Sequence, residues 1–89
     1  SATLTRARHG LPDAPLAGYV GRFAREKEIE VVLDGWAAVE RATDARLVLI
    51  GAGPMERRLR AHRYGERVIF VPYQRDRDAL ADLLAALDV

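Results

Sequence analysis

The chain has 89 residues, enough for one small domain, with no cysteine and a formal net charge of +1. The missing cysteines exclude disulfide bonds and thiolate metal sites, and the small net charge argues against nucleic acid as a partner. Hydrophobic residues make up 49% and charged residues 30%, as in ordinary globular domains. No apolar run approaches the roughly 20 residues that cross a bilayer, so we expect a cytoplasmic location.

The first half of the chain predicts a lead-in, a strand and a helix. Residues 1–15 contain a glycine and two prolines and are predicted to be irregular, which leaves residues 16–89 as the domain. The apolar run at 16–23, LAGYVGRF, is typical of a strand covered on both faces. From Glu28 to Ala42 the apolar spacing becomes that of an amphipathic helix. Its stripe is Ile29, Val32, Leu33, Trp36 and Val39.

The second half repeats this alternation twice. Residues 46–51, RLVLIG, predict a second buried strand, and a helix is predicted over 54–64. Residues 67–71 predict a third strand that Pro72 ends. A last helix follows, with Asp76 or Asp78 as its N-cap. Its apolar stripe is Leu80, Leu83, Leu84 and Leu87.

The predicted order β-α-β-α-β-α implies an α/β fold with a three-stranded parallel sheet and right-handed crossovers. Such a sheet is half of a doubly wound, Rossmann-like domain, which usually has five or six strands. We expect the first two helices to cover one face. Without a fourth strand, the edge at 18–23 and much of the other face are predicted to be uncovered. The chain is therefore predicted to be a fragment that forms a homodimer or exchanges segments through that edge.

The first candidate site is Gly21-Arg22-x4-Lys27, where strand one passes into helix one. Ligands of open α/β sheets bind beyond the carboxyl ends of the strands. Arg22 could donate to phosphate oxygens through its planar guanidinium and Lys27 as a point charge, while Gly21 permits close backbone approach. The alternative is two solvated surface cations.

Two further candidates follow the next two strands. Gly51-Ala52-Gly53-Pro54 lacks the third glycine of a dinucleotide motif, so it is either a tight turn or a loop whose glycines leave room for a nucleotide. Val71-Pro72-Tyr73 could border a base, although the simpler interpretation is a strand end.

Other polar residues predict no chemistry. Five arginines flank the second helix and are interpreted as a solvated face: Arg57, Arg58, Arg60, Arg63 and Arg67. His9 and His62 are isolated in sequence, with no second ligand at metal-binding spacing, so no metal site is predicted.

The segments GYVGRFAREKEIEVVLDGW, ARLVLIGAGPMERRLR and RVIFVPYQRDRDALADLLAALDV together resemble the group 1, retaining GT-B glycosyltransferases. The likeness begins near Leu11, runs to the end of the chain and corresponds to the first half of that family's C-terminal, nucleotide-sugar-binding domain. It implies transfer of a sugar from a nucleoside-diphosphate sugar to an acceptor with retention of configuration. The base is unknown, and no cofactor or metal is expected.

The resemblance assigns roles to the candidate residues. It implies that Arg22 and Lys27 hold the diphosphate and stabilise charge on the leaving nucleoside diphosphate. The loop of Gly51 and Gly53 would line the donor cleft, and the segment from Val71 to Tyr73 would lie beside the base.

The sequence departs from the family in two respects. Position 28, often glycine or asparagine in the family, is Glu28, which adds negative charge near the proposed phosphate site. The acceptor domain, the rest of the C-terminal domain and a glutamate pair that holds sugar and ribose are missing, so we expect no turnover from this chain alone. The parent enzyme could lie at the membrane periphery. The alternative function is a βαβ binding or assembly module with no ligand.

Overall fold

A computed structural model describes residues 2–89, with side chains from Leu4 onward; Ser1 lies outside the described residues. The strands and helices alternate along the chain after an initial helix. In order they are α1 (Ala2–Arg8), β1 (Leu16–Val20), α2 (Ile29–Ala42), β2 (Arg46–Ile50), α3 (Glu56–Arg60), β3 (Ile69–Val71) and α4 (Arg77–Ala85). Single 3₁₀ turns precede α2 and β3, at Arg25–Lys27 and Gly65–Arg67.

The three strands form one parallel sheet in the order β1-β2-β3, as predicted. Leu16 is level with Arg46, and Val48 is level with Ile69. β2 lies in the middle with both neighbours parallel to it, so it is the most buried strand, from Leu47 to Ile50. All three carboxyl ends therefore meet at one edge of the sheet, where the candidate loops begin.

The two faces of the sheet are covered by different helices. On one face, Leu47 and Leu49 pack in a core with Ile29, Leu33 and Trp36 of α2 and with Leu59 of α3. The other two residues of the predicted α2 stripe, Val32 and Val39, are exposed. On the other face, Val48 and Ile50 pack with Leu83 and Ala86. This alternation is the period-2 side-chain pattern of a strand buried on both sides.

The expectation that much of one sheet face is uncovered is therefore wrong. After β3 the chain crosses to the other face, and α4 with the residue after it buries Leu83 and Ala86 there. Leu11 and Leu16 belong to the same core. The prediction took the last helix only as a connection to another strand, whereas Leu80, Leu83 and Leu87 of its predicted stripe pack in the second layer. Leu84, the fourth residue of that stripe, is exposed.

The expectation of an irregular lead-in over residues 1–15 is wrong for Ala2–Arg8, which form α1. The helix ends at Gly10, which has φ +70°, while the Leu11 N–H donates to the Arg6 carbonyl at 2.8 Å. This is the Schellman ending, in which a glycine takes the left-handed conformation and the next apolar residue is buried. α1 lies against α4, with Arg6 Nε donating to the Ala86 carbonyl at 2.9 Å.

The outer edge of β1 is partly paired, contrary to the expectation that it is open. The Val89 N–H donates to the Leu16 carbonyl at 3.3 Å, and the Gly18 N–H donates to the Val89 carbonyl at 2.9 Å. These two bonds enclose Ala17 in the pattern of parallel strand pairing. The last residues thus continue the sheet on the side of β1 opposite β2.

Helix α2 follows an unusual backbone conformation at its N-cap. Glu28 has φ 53° and ψ 36°, the left-handed region that non-glycine residues rarely adopt. This geometry joins the 3₁₀ turn at Arg25–Lys27 to α2. It explains in backbone terms why glycine or asparagine would suit position 28.

None of the helices within residues 2–89 has the length and apolar character needed to span a membrane.

Candidate functional site

The loop after β1 is held in place by four hydrogen bonds. The Gly21 N–H donates to the Ile50 carbonyl at 3.1 Å, and the Phe23 N–H donates to the Ala52 carbonyl at 2.9 Å. The Phe23 carbonyl accepts the Met55 N–H at 2.9 Å, and the Tyr19 hydroxyl donates to the Arg22 carbonyl at 3.2 Å.

The side chains of this loop alternate between core and solvent. The Phe23 side chain is buried in the core with 1% exposure, whereas the Arg22 side chain is exposed. The sequence Gly-Arg-Phe thus fixes a backbone from which one guanidinium projects into solvent.

The glycine loop after β2 lies directly against this first loop. A Cβ atom on Gly51 would collide with the Gly21 carbonyl, and one on Gly53 would lie 2.5 Å from the Phe23 carbonyl oxygen. Both glycines also have positive φ angles, 150° and 156°. The space that their missing side chains leave is therefore filled by the neighbouring loop. This supports the tight-turn interpretation and gives the glycines a packing role that the sequence did not show.

The loop after β3 is fixed at both ends. The Val71 carbonyl accepts the Gly51 N–H at 3.0 Å, which ties it to the glycine loop. At its other end Asp76 is the N-cap of α4, accepting the Asp78 N–H at 2.9 Å, which confirms one of the two predicted caps. Arg75 lies between these fixed points and is exposed.

The three loops enclose a cleft of about 580 Å³ at the carboxyl edge of the sheet. This volume is in the range of small-molecule sites. The lining residues come from all three strand ends: Gly21, Arg22, Ala52, Tyr73 and Arg75. A smaller pocket of about 130 Å³ adjoins it, since the two share Ala52 and Tyr73. Gly51 and Val71 line that smaller pocket, together with the paired side chains of Glu56 and Arg60.

Five of the seven predicted site residues are thus brought together: Gly21, Arg22, Gly51, Val71 and Tyr73. Lys27 and Gly53 line neither pocket. Lys27 is exposed at the end of the 3₁₀ turn, and Gly53 packs on the Phe23 backbone.

The sequence analysis named Ala52 only as part of the glycine loop and did not identify Arg75 as a cleft residue. Arg75 carried one usable signal, because a cation in a loop directly after a strand lies at the ligand-binding edge of a parallel sheet.

The charge of the cleft is positive and is not neutralised by the protein. Neither Arg22 nor Arg75 forms an ion pair or hydrogen bond with another side chain within the described part of the chain. Arg58 and Arg60 of α3 and Arg67 of the 3₁₀ turn before β3 behave differently, since each pairs with a glutamate at 2.7–3.2 Å. The bond to Glu40 raises the pKa of Arg67 above its ordinary value.

These pairs support the interpretation of the arginine flank as a solvated face, on which three of the five arginines are paired with glutamates. The two cleft arginines remain free for an anionic ligand. Among the described residues, no group of three or more histidine, aspartate or glutamate side chains could hold a metal ion.

Comparison with known proteins agrees with this geometry. The family model described as "Glycosyl transferases group 1" matches residues 14–89. A "GDP-mannose-dependent alpha-(1-6)-phosphatidylinositol dimannoside mannosyltransferase" of Mycobacterium tuberculosis is 36% identical over 85 residues, which cover 94% of this chain and 22% of that protein. An "Alpha-D-kanosaminyltransferase" of Streptomyces kanamyceticus is 42% identical over 50 residues, covering 55% of this chain and 13% of that protein.

The chain spans about a fifth of the length of the mannosyltransferase that it matches, 22%. The match nevertheless includes all three strands, the three strand-end loops and the cleft between them. The chain therefore belongs to the group 1 glycosyltransferases.

Proposed function

We propose that the chain is the first part of a donor-binding domain, and that its parent transfers a sugar from a nucleoside-diphosphate sugar with retention of configuration. The observation that carries this proposal is the cleft at the carboxyl edge, in which the unpaired Arg22 lies beside Gly21. A guanidinium with five donors and a fixed charge suits the oxygens of a diphosphate. Membership of the family supports the reaction class, and the cleft at the strand ends supports this position for the donor.

The chemical role of Arg22 follows from where charge develops. When the bond between sugar and diphosphate breaks, negative charge accumulates on the leaving phosphate oxygens. A positive group already held in position stabilises that charge without reorganising solvent. The four hydrogen bonds of the loop at 21–23 hold the Arg22 backbone, which is the preorganisation that this role requires.

Catalysis needs more than this chain contributes. Sugar transfer needs an acceptor as well as a donor, and we assign the cleft to the donor alone. We therefore propose that residues 16–89 bind the nucleotide and that turnover requires further parts of the parent enzyme. Sugar transfer by the purified 89-residue chain would contradict this part of the proposal.

The formation of a homodimer, or the exchange of a segment, through the β1 edge stays a prediction. The part of the edge that is open to a second copy is shorter than predicted. Val89 pairs with the edge as far as Gly18, so only the part beyond Gly18 is left for a second copy or for an exchanged segment. Val20, at the end of that stretch, is 42% exposed. Light scattering at micromolar concentration tests this, and a strictly monomeric chain would contradict it. We keep the proposal of a cytoplasmic location, with the parent enzyme against a membrane surface.

The test of the proposed function is nucleotide binding by the chain and by Arg22→Ala. We expect UDP, GDP or ADP to perturb amide signals of the loops at 21–23, 51–53 and 71–75 in heteronuclear NMR. Arg22→Ala should weaken binding at least tenfold, because it removes a charge-assisted contact. Arg57→Ala, an exposed arginine outside the cleft, is the matched control and should bind like the original chain. If Arg22→Ala binds the nucleotides with the same affinity as the original chain, the proposal is wrong.

A further inference from the structure

We propose that Arg75 recognises the base of the donor nucleotide and selects guanine. This inference rests on the proposed function, because it takes the cleft to hold a nucleoside diphosphate. Arg75 lines the same cleft as Arg22. It follows β3 and Arg22 follows β1, so the two residues lie at opposite ends of the strand order.

The strand order determines which end of the ligand reaches Arg75. Neighbouring strands lie about 4.8 Å apart, so the ends of β1 and β3 are separated by roughly 10 Å with β2 between them. A nucleotide whose phosphates bind Arg22 must extend across the β2 loop, and its nucleoside then lies at the β3 end. Arg75 and Tyr73 are the cleft residues at that end.

The β3 end offers the surfaces that a base requires. The Tyr73 side chain is 65% exposed, and an exposed ring in a cleft provides a face for stacking a base. Sequence-independent stacking does not distinguish one base from another. Selection therefore depends on a polar group at the same end of the cleft, and the charged one there is the guanidinium of Arg75.

Arg75 is free to make that contact. The loop that carries it is fixed on both sides, by the Gln74 amide donating to the Pro72 carbonyl at 2.6 Å and by the Asp76 cap of α4. The side chains next to Arg75 in sequence, those of Gln74 and Asp76, form these hydrogen bonds. The Arg75 side chain itself has no ion pair or hydrogen bond to any described residue. The loop is held and the guanidinium remains available.

The donor pattern of arginine favours guanine over the other bases. A guanidinium only donates hydrogen bonds, and guanine presents two adjacent acceptors, O6 and N7, on one edge. Adenine presents N7 beside an amino group, which would place a donor against a donor. A pyrimidine such as uracil presents a single carbonyl there. We therefore expect the affinities to fall in the order GDP, UDP, ADP.

The experiment measures the dissociation constants of GDP, ADP and 7-deaza-GDP for the 89-residue chain and for Arg75→Ala, by calorimetry or NMR titration. We expect the original chain to prefer GDP over ADP by roughly 5- to 100-fold, the discrimination of a bidentate arginine contact. Arg75→Ala should lose that preference while its ADP affinity stays the same. Replacing N7 by carbon should weaken binding to the original chain but not to Arg75→Ala, since the two changes remove the same bond.

Two further variants sharpen the result. Arg75→Gln should shift the preference toward ADP, because a carboxamide matches the N6 and N7 pair of adenine. Arg77→Ala removes an exposed arginine two residues away that does not line the cleft, and it should leave all affinities unchanged.

The outcomes separate this inference from the proposed function. If Arg22→Ala abolishes nucleotide binding but Arg75→Ala weakens GDP and ADP equally or not at all, the base assignment is wrong and the donor cleft stands. If the original chain prefers ADP or shows no preference, the base assignment is likewise wrong. If no nucleotide binds the original chain, or if Arg22→Ala has no effect, both proposals fail.

Discussion

Asp88 and Leu16 are joined by two reciprocal hydrogen bonds of 2.7 Å. The Leu16 N–H donates to the Asp88 carboxylate, and the Asp88 N–H donates to the Leu16 carbonyl. The same carboxylate accepts from Arg6 at 2.9 Å. One aspartate thus connects the start of β1, helix α1 and the segment after α4.

We expect Asp88→Ala to lower the free energy of unfolding by about 1–2 kcal/mol, because it leaves the partly buried Leu16 N–H without its acceptor. Urea unfolding monitored by circular dichroism gives this value. Asp44→Ala is the matched control, since Asp44 is exposed and has no ion pair in the described chain. Equal stability of the two variants would show that the junction contributes nothing measurable.

Glu28 is expected to be a strained position, because its φ of 53° is unfavourable for a residue with a Cβ atom. Glycine has no Cβ atom, and asparagine tolerates this conformation better than most other residues. Glu28→Gly and Glu28→Asn should both be more stable than Glu28→Ala by about 1 kcal/mol. All three variants lose the same charge, so the comparison isolates the backbone. The denaturant midpoint measures the differences at constant m-value. An alanine variant as stable as the glycine variant would argue against the left-handed conformation.

The glycines of the β2 loop should tolerate no side chain. We expect Gly51→Ala and Gly53→Ala each to lower stability by about 2 kcal/mol or more, since the new methyl group meets backbone atoms that cannot move independently. Gly35→Ala provides the contrast. It lies in the interior of α2 with no atom near the added Cβ, and it should raise stability by about 1 kcal/mol. Thermal unfolding of the three variants tests both signs.

Lys27 should contribute less to nucleotide binding than Arg22. It does not line either pocket, and its side chain is exposed at the end of the 3₁₀ turn. We expect Lys27→Ala to weaken binding about two- to fivefold through its charge, compared with at least tenfold for Arg22→Ala. Arg25→Ala, which removes a nearby exposed cation, is the control in the same titration. A larger effect for Lys27→Ala would indicate that the lysine reaches the ligand when it binds.

The strands and long helices could be predicted because their apolar periods are strong. The run at 46–51 and the stripe from Ile29 to Val39 correspond to β2 and α2 with bounds close to those predicted. Helix α1 was missed because its short sequence has no apolar stripe, and its stability depends on contacts with α4 that are distant in sequence. The Gly10-Leu11 ending was the one local signal of a helix there.

The site was predictable in location and less so in detail. Residues that directly follow strands, such as Gly21, Arg22 and Tyr73, could be placed at one edge of the sheet from strand order alone. The packing of Gly53 on the Phe23 backbone could not, because it depends on how two loops approach each other in space. Lys27 was assigned to the site from its position after strand one and from the resemblance, and its exposed position reflects the turn that precedes α2.

The pairing of Val89 with β1 has a consequence for the winding of the whole sheet. From β1 to β3 the chain advances in one direction across the sheet, and after β3 it returns over the opposite face to the free side of β1. The direction of winding therefore reverses at β1, and connections leave to opposite faces on either side of that strand. Such a reversal opens a crevice at the carboxyl end of the strand. Arg22, which follows β1, lies at that end of the strand.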